Sequence, residues 1–260
     1  MRRSSLWKMG LFACAGAFLT ASCRNDADLA VPPAVPGTAL SEEFDTVSSA
    51  FARGWTIYNG TVPRGSGIWQ QGGDLTPWFS AFSNGGSNAG FIGVNTYSTS
   101  ADVADISNWL ISPVVTLRNG DTLSFYTRGL LFRASATDSS DYGNTLEVRL
   151  STEGDATSTG NGLATGVFTK QLLTINEPSR RADGSLYYKP NQIAHSNPTL
   201  FNPGAYPTNW TRFEVTVNGI AAPTQGRIAF RYFVPGGGLG ATAPGSGIAI
   251  DKVEYKPATR

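Results

Sequence analysis

The side chains able to do chemistry are few and widely spaced. His195 is the only histidine, and it lies in an irregular stretch from Pro178 to Pro207. A Ser-His-Asp triad would have to use it, and no strand-turn-helix Gly-x-Ser-x-Gly elbow is present to carry the nucleophile. One histidine and two cysteines, both near the N-terminus, cannot assemble a nitrogen–sulfur centre for a transition metal. Glycoside hydrolysis needs two carboxyl groups held roughly 5–9 Å apart. Glu147 and Glu214 are the acids on well-defined strand patterns, but each alternates with apolar residues, which directs both to solvent. Asp138, Asp141 and Asn144 offer hard oxygen ligands that could hold Ca²⁺ in a loop. Flat rings are the better-supplied chemistry. Trp69, Trp78, Phe79, Tyr187 and Tyr188 lie in or near loops, where they could stack on sugars or peptides. The candidate ligand-binding set is Trp78, Tyr187 and Tyr188, the tyrosines being flanked by Arg180, Arg181 and Lys189. The same rings could instead close the core under long loops, the role expected of Trp55, Trp109 and Trp210. Gly236–Gly238 precedes no helix and reads as a strand connection, not a phosphate cradle.

Composition bounds what must position these groups. A chain of 260 residues with 30 Gly, 15 Pro, 40% hydrophobic and 11% aromatic residues suits many short strands and turns around one sizeable core. The formal charge is +1, and without Arg2, Arg3 and Lys8 the rest carries 17 basic against 19 acidic residues. Basic residues are scattered, so a nucleic-acid partner is not expected.

The N-terminus reads as an address. Met1 to Lys8 is basic and Met9 to Leu19 is apolar, the plan of a signal peptide over residues 1–22. Leu19-Thr20-Ala21-Ser22-Cys23 resembles a bacterial lipobox, although Thr20 stands where an aliphatic residue is usual. Cys14 falls inside the leader, and a lone Cys23 in the mature chain cannot form an internal disulfide. The expectation is a covalent lipid on Cys23, with cleavage near Ala21 and a free thiol as the alternative. Arg24 after the cysteine favours the outer membrane or cell surface of a Gram-negative bacterium, or a periplasmic or secreted protein if no lipid is attached. Residues 23–40 hold Val31-Pro32-Pro33-Ala34-Val35-Pro36-Gly37 and form an extended linker reaching roughly 50 Å at ~3 Å per residue. No second long apolar run follows.

From residue 41 the pattern has period two. Leu146, Val148 and Leu150 share one face of a strand, and similar runs occur at Gly54–Tyr58, Phe91–Asn95, Trp210–Val217, Arg227–Val234 and Gly247–Tyr255. Ser107 to Arg128 reads as two adjacent antiparallel strands joined at Asn119-Gly120-Asp121. No sustained 3.6-residue period and no fixed-length repeat appears.

In order and spacing these segments resemble the choice-of-anchor J domains, related to bacterial cleaved-adhesin domains. The residues that carry the resemblance are Glu43-Phe44-Asp45, Gly54-Trp55, Trp69, Phe91-Ile92 and Ser107-Asn108-Trp109-Leu110-Ile111-Ser112-Pro113. They continue through Gly120–Phe125, Leu146–Ser151, Tyr206–Trp210, Ile228–Tyr232 and Gly247–Asp251. The resemblance implies one all-β domain over residues 41–257, a jelly-roll β-sandwich of antiparallel strands displayed outside the cytoplasm. It also implies a structural Ca²⁺ between the first and last strands, for which Glu43, Asp45 and Asp251 are the candidate ligands. The stretch Pro178 to Gly204 is longer than the family's usual connection, so a property particular to this chain is expected there.

Together these observations predict a non-catalytic, lipid-anchored surface protein that binds an extracellular glycan or protein through loops of the sandwich. A glycan-active hydrolase on the same fold and a purely structural envelope component are the alternatives. Cys23→Ala should move the protein from the membrane fraction to the soluble fraction. Unchanged membrane retention would remove the lipid anchor.

Overall fold

Short β-branched and aromatic runs broken by Gly, Asn and Pro leave little room for helix, and the chain forms strands nearly throughout. The computed structural model describes residues 38–259. The expected signal peptide, Cys23 and the linker as far as residue 37 lie outside the described residues.

In chain order the first strands are β1 (Leu40–Glu42), β2 (Thr56–Asn59), β3 (Gln70–Gln71), β4 (Ile92–Asn95) and β5 (Ala104–Ile111). Next come β6 (Val115–Leu117), β7 (Thr122–Gly129), β8 (Phe132–Arg133), β9 (Ser139–Ser140) and β10 (Leu146–Ser151). The last are β11 (Lys170–Ile175), β12 (Ser179–Arg180), β13 (Leu186–Tyr187), β14 (Thr211–Thr216), β15 (Thr224–Gly237) and β16 (Gly247–Lys256). A front sheet runs β14-β7-β16-β4-β3, with β1 also on β16. A back sheet runs β11-β10-β15-β5-β2, with β6 also on β15. The strands of both sheets are antiparallel, and the two sheets make the expected jelly-roll sandwich. Two short hairpins, β8-β9 and β12-β13, stand outside it.

The period-two pattern explains the core. Leu123 and Phe125 of the front sheet are buried in one cluster with Leu146, Val148, Ile228 and Phe230 of the back sheet. The Phe125 ring meets Phe230 edge-on at 5.1 Å, and Trp55 stacks on Phe230 at 6.4 Å. Three rings from three segments thus join the layers, each pair contributing about 0.5–1.5 kcal/mol beyond the area it buries.

One expectation is corrected. Ser107 to Arg128 is not a pair of adjacent strands. β5 and β6 both pair with β15 in the back sheet, whereas β7 pairs with β16 and β14 in the front sheet. The Asn119-Gly120-Asp121 turn carries the chain from one layer to the other. It is held across the gap to β14 by Gly120 N–H donating to Val217 O at 2.9 Å and Val217 N–H to Asp121 O at 2.8 Å. The local signature gives a turn, but partner choice is set by long-range burial. A short helix, α1 (Val47–Ala52), also forms, too short to show a sustained period in sequence. It turns Val47 and Ala50 into the core three residues apart.

Phe230→Ala should lower the unfolding free energy by about 3–5 kcal/mol in chemical denaturation. A loss below ~1 kcal/mol would show that the sheets are not joined at this ring.

Candidate functional site: a cleft at the sandwich edge

Strands β11 and β14 end their respective sheets and lie close to each other along one edge of the sandwich. Between them opens a cleft of about 470 Å³. Thr174, Ile175 and Asn176 form one wall, Thr211 and Phe213 the other, and Ala194 to Asn209 contributes the rim. Tyr206 closes the floor, fully buried, its hydroxyl 2.6 Å from Thr127 Oγ1. Burial pushes this hydroxyl above the ordinary tyrosine range, so it serves as a neutral hydrogen-bonding group. Phe201 projects at the rim with 69% of its surface exposed.

The rim belongs to the long irregular segment, and the loop from Asp138 to Asn144 fixes it in place. Asp141 Oδ1 accepts from Ala194 N–H at 2.8 Å and Gly143 N–H at 3.0 Å. Asp138 pairs with His195 Nδ1 at 2.6 Å and accepts from Asn197 N–H at 3.0 Å. The His195 hydrogen bond holds the Asp138 carboxyl below its usual range. Beneath them Asn144 is fully buried. Its Nδ2 donates to Ser246 Oγ at 2.9 Å and Gly247 O at 3.1 Å, while Oδ1 accepts from Tyr232 at 2.9 Å and Ser246 N–H at 3.1 Å. The acidic loop group thus spends its oxygens on protein donors, and His195 is an anchor for the rim.

The cleft keeps spare polar capacity. Thr174 and Asn176 each retain one buried side-chain oxygen with no hydrogen-bond partner. The Thr208 and Asn209 side chains make no hydrogen bond to any described residue. Among the described residues that line it, none is Asp, Glu, Lys or Arg.

The residues singled out from sequence are dispersed. Tyr187 and Tyr188 share a separate hollow of about 350 Å³ with Tyr142 and Arg181. The Arg181 guanidinium lies 4.2 Å from the Tyr187 ring centre. Tyr188 packs against the core and its hydroxyl is 2.8 Å from Thr145 Oγ1, so much of it is structural. Trp78 is elsewhere, on the outer face of the front sheet with Phe79 and Trp210. That also moves Trp210 out of the expected core, whereas Trp55 is buried in it and Trp109 is fully buried in a second cluster with Ile111, Phe168 and Ala229. Trp69 is no loop platform, being fully buried in the main cluster.

Glu147 does not face solvent as its alternation suggests. It is 8% exposed and pairs with Arg149 at 2.8 Å and Arg231 at 3.0 Å, because the stretch around Gly162 and Phe168 covers the outer face of the back sheet. Glu214 lies on the opposite outer face beside Arg212, so the two acids cannot act as a pair.

For calcium, Asp251 is fully buried and accepts from Phe82 N–H and Ser83 N–H at 2.9 Å, Ser83 Oγ–H at 2.8 Å and Lys252 N–H at 2.7 Å. Burial pushes its carboxyl up to about 6. Asp45 is exposed and Glu43 partly so. Glu43, Asp45 and Asp251 do not gather into a metal-ligating group, and no group of three or more such side chains occurs among the described residues. The carbonyl oxygens of Phe44, Asp45, Ala89 and Phe91 converge on the Gln71 amide nitrogen. Among the described residues no helix is long and apolar enough to cross a membrane.

Sequence reasoning passed over Phe201, Asn176 and Asn209 as site residues. The available signal was Phe201 directly before Asn202-Pro203-Gly204, a large ring leading into a turn.

No protein-family model matches the chain, and no curated protein does. Among solved structures, the chain is similar to the K1 cleaved adhesin domain of Lys-gingipain from Porphyromonas gingivalis W83. The TM-score is 0.48 at 20% identity, covering 86% of this chain and 100% of that one. It is also similar to the K3 cleaved adhesin domain of the same protein, with TM-score 0.45, 18% identity and coverage of 85% and 98%. A structure of TmCBM61 in complex with β-1,4-galactotriose matches at TM-score 0.35 and 11% identity, over 82% of this chain and 97% of that one. Cleaved-adhesin domains thus stand among the similar structures, while the choice-of-anchor J assignment has no matching model.

Asp141 gives the rim a titratable anchor. Burial pushes its carboxyl up to about 6, against hydrogen bonds from Gly143 and Ala194. The folded state therefore favours the protonated form. That contribution is complete below the usual aspartate value near 4 and is lost as pH rises through about 6. Asp141→Asn should flatten this part of the pH dependence of Tm between about pH 4 and pH 6. Parallel curves for the two proteins would show that Asp141 does not titrate there.

Proposed function

We propose that this chain is a non-catalytic binding domain that takes a neutral glycan in the cleft between β11 and β14. The carrying observation is the composition of that cleft: an exposed Phe201 ring beside Asn and Thr side chains, with no charged pair in the lining. An aromatic face packs against the apolar C–H face of a sugar ring. Amides and hydroxyls both donate and accept, which matches the two-way demand of sugar hydroxyls. A hydrolase at this position would need two carboxyl groups, and the lining supplies neither. His195, held by Asp138, makes no hydrogen bond among the described residues to a serine or threonine hydroxyl that would complete a triad.

The proposal places the domain outside the cytoplasm, held at the cell surface by lipid on Cys23 and raised from it by the proline-rich linker. What supports this part is the order of basic, apolar and small residues before Cys23. Such a tether lets a modest single-site affinity act many times over on a polymeric ligand, because neighbouring copies on one surface raise the effective concentration.

Phe201→Ala should weaken binding of a neutral oligosaccharide roughly tenfold, the worth of one stacked ring at about 1.5 kcal/mol. A neutral-glycan array would identify the ligand and calorimetry would measure the change. Failure of every neutral glycan to bind, alongside capture of a protein ligand in a surface pull-down, would turn the assignment to protein adhesion.

A further inference from the structure

The outer face of the front sheet, away from the cleft, carries a second concentration of rings. Tyr126 and Arg128 are two residues apart on β7 and point outward, because Phe125 points into the core and Thr127 into the hydrogen bond with Tyr206. Phe82 lies flat over Tyr126, with ring centres 3.5 Å apart and planes inclined by 15°. It keeps 39% of its surface exposed. The Arg128 guanidinium sits 3.9 Å from the Phe79 ring centre, and Phe79 in turn meets Trp210 edge-on at 5.5 Å. Stacked rings and a stacked guanidinium thus lie side by side, about 7 Å apart by strand geometry.

The charges on this face are unbalanced. Arg128 has no carboxylate and no hydrogen-bond acceptor among the described residues, and its Nε is buried without a partner. Its burial lowers its affinity for a proton, the cost of a cation held out of water with nothing to offset it. Lys252 Nζ, 6.0 Å from the Phe82 ring centre, makes no direct ion pair among the described residues, although, behind the Lys256 hydrogen bond, its charge helps hold the Glu254 carboxyl below its usual range. The three acids present are already occupied, Glu254, opposite Ser124, pairing with Lys256 at 2.8 Å. Glu214 pairs with Arg212, and Asp251 lies beneath Phe82 with its oxygens taken by Phe82, Ser83 and Lys252. Asp251 therefore pins the Phe82 loop onto the sheet, so the platform is held from below.

We propose that this face is a second binding site, for an acidic sugar. The sugar ring would stack on Phe82, and its acid group would pair with Arg128 and be drawn in by Lys252. A half-buried guanidinium beside an open aromatic face supplies both halves of that recognition: an apolar plane and a planar donor fork for a carboxylate or sulfate. The occupant is acidic because the partner missing from Arg128 is an anion. It is a saccharide because the surface beside that cation is the flat face of a ring.

The full chain should be titrated with trigalacturonate, with neutral galactotriose and with a sulfated disaccharide, following tryptophan fluorescence and heat. Trigalacturonate or the sulfated sugar should bind at least tenfold more tightly than galactotriose at this face, and more weakly as salt is raised. Whichever acidic sugar binds more tightly identifies the acid group. Arg128→Gln and Phe82→Ala should each weaken acidic-sugar binding tenfold or more, and Lys252→Gln several-fold. Should Arg128→Gln fail to fold, the Phe82 and Lys252 variants and the salt dependence still decide the matter. Absence of acidic-sugar binding, equal affinity for charged and neutral sugars, or indifference to these variants would overturn the proposal. So would binding of an Asp-rich and Glu-rich peptide without any acidic sugar.

Discussion

The arrangement rests on one buried amide. Asn144 uses both ends of its side chain to join β10, β15 and the start of β16, which belong to different sheets. Taken out of water, a donor or acceptor left without a partner costs about 1–3 kcal/mol, so these bonds hold a single geometry. From that fixed point the chain runs back three residues to Asp141, which grips Ala194, and then to Asp138, which grips His195 and Asn197. The rim of the cleft is therefore built outward from the core in successive hydrogen-bonded steps. A long segment with little regular structure can act as a wall because polar side chains from another loop stand in for the missing ladder.

Most of the sandwich was legible because its strands carry their burial in alternation. Leu146, Val148 and Leu150 announce a face, and Ile248 and Ile250 do likewise. What alternation leaves open is which strand lies next to which, and Ser107 to Arg128 shows why. A polar turn between two apolar runs looks the same whether the chain doubles back in one sheet or steps across to another. Nor does alternation say what covers the polar side. Glu147 has the pattern of a solvent-facing residue, yet Arg231, itself stacked near Trp109 and Phe233, lies against it under a loop.

The functional residues were less legible still. His195 and the Asp138–Asn144 group stood out as scarce chemistry, and they serve as fasteners. The cleft draws on Phe201, Asn176 and Asn209, residues of ordinary type whose meaning comes from where β11 and β14 end. Arg128 reads in sequence as a polar residue on a strand. Only the neighbours assembled from Phe79 and Phe82, nearly fifty residues earlier, reveal a cation without an anion. Composition near a site can be read from a chain, but an unmet valence is a property of the folded surroundings.

The order of strands has a consequence for how the molecule comes into being. The last strand, β16, occupies the middle of the front sheet, and the penultimate one, β15, occupies the middle of the back sheet. Neither layer has its central member until the final stretch of the chain is free to join. A polypeptide emerging from the N-terminus onward can form only separate pairs such as β2-β5, β10-β11 and β7-β14 until then, and closure requires contacts between distant parts of the sequence, which are slow to form. Under the proposed export across a membrane, that delay would keep the chain threadable until these two strands had passed.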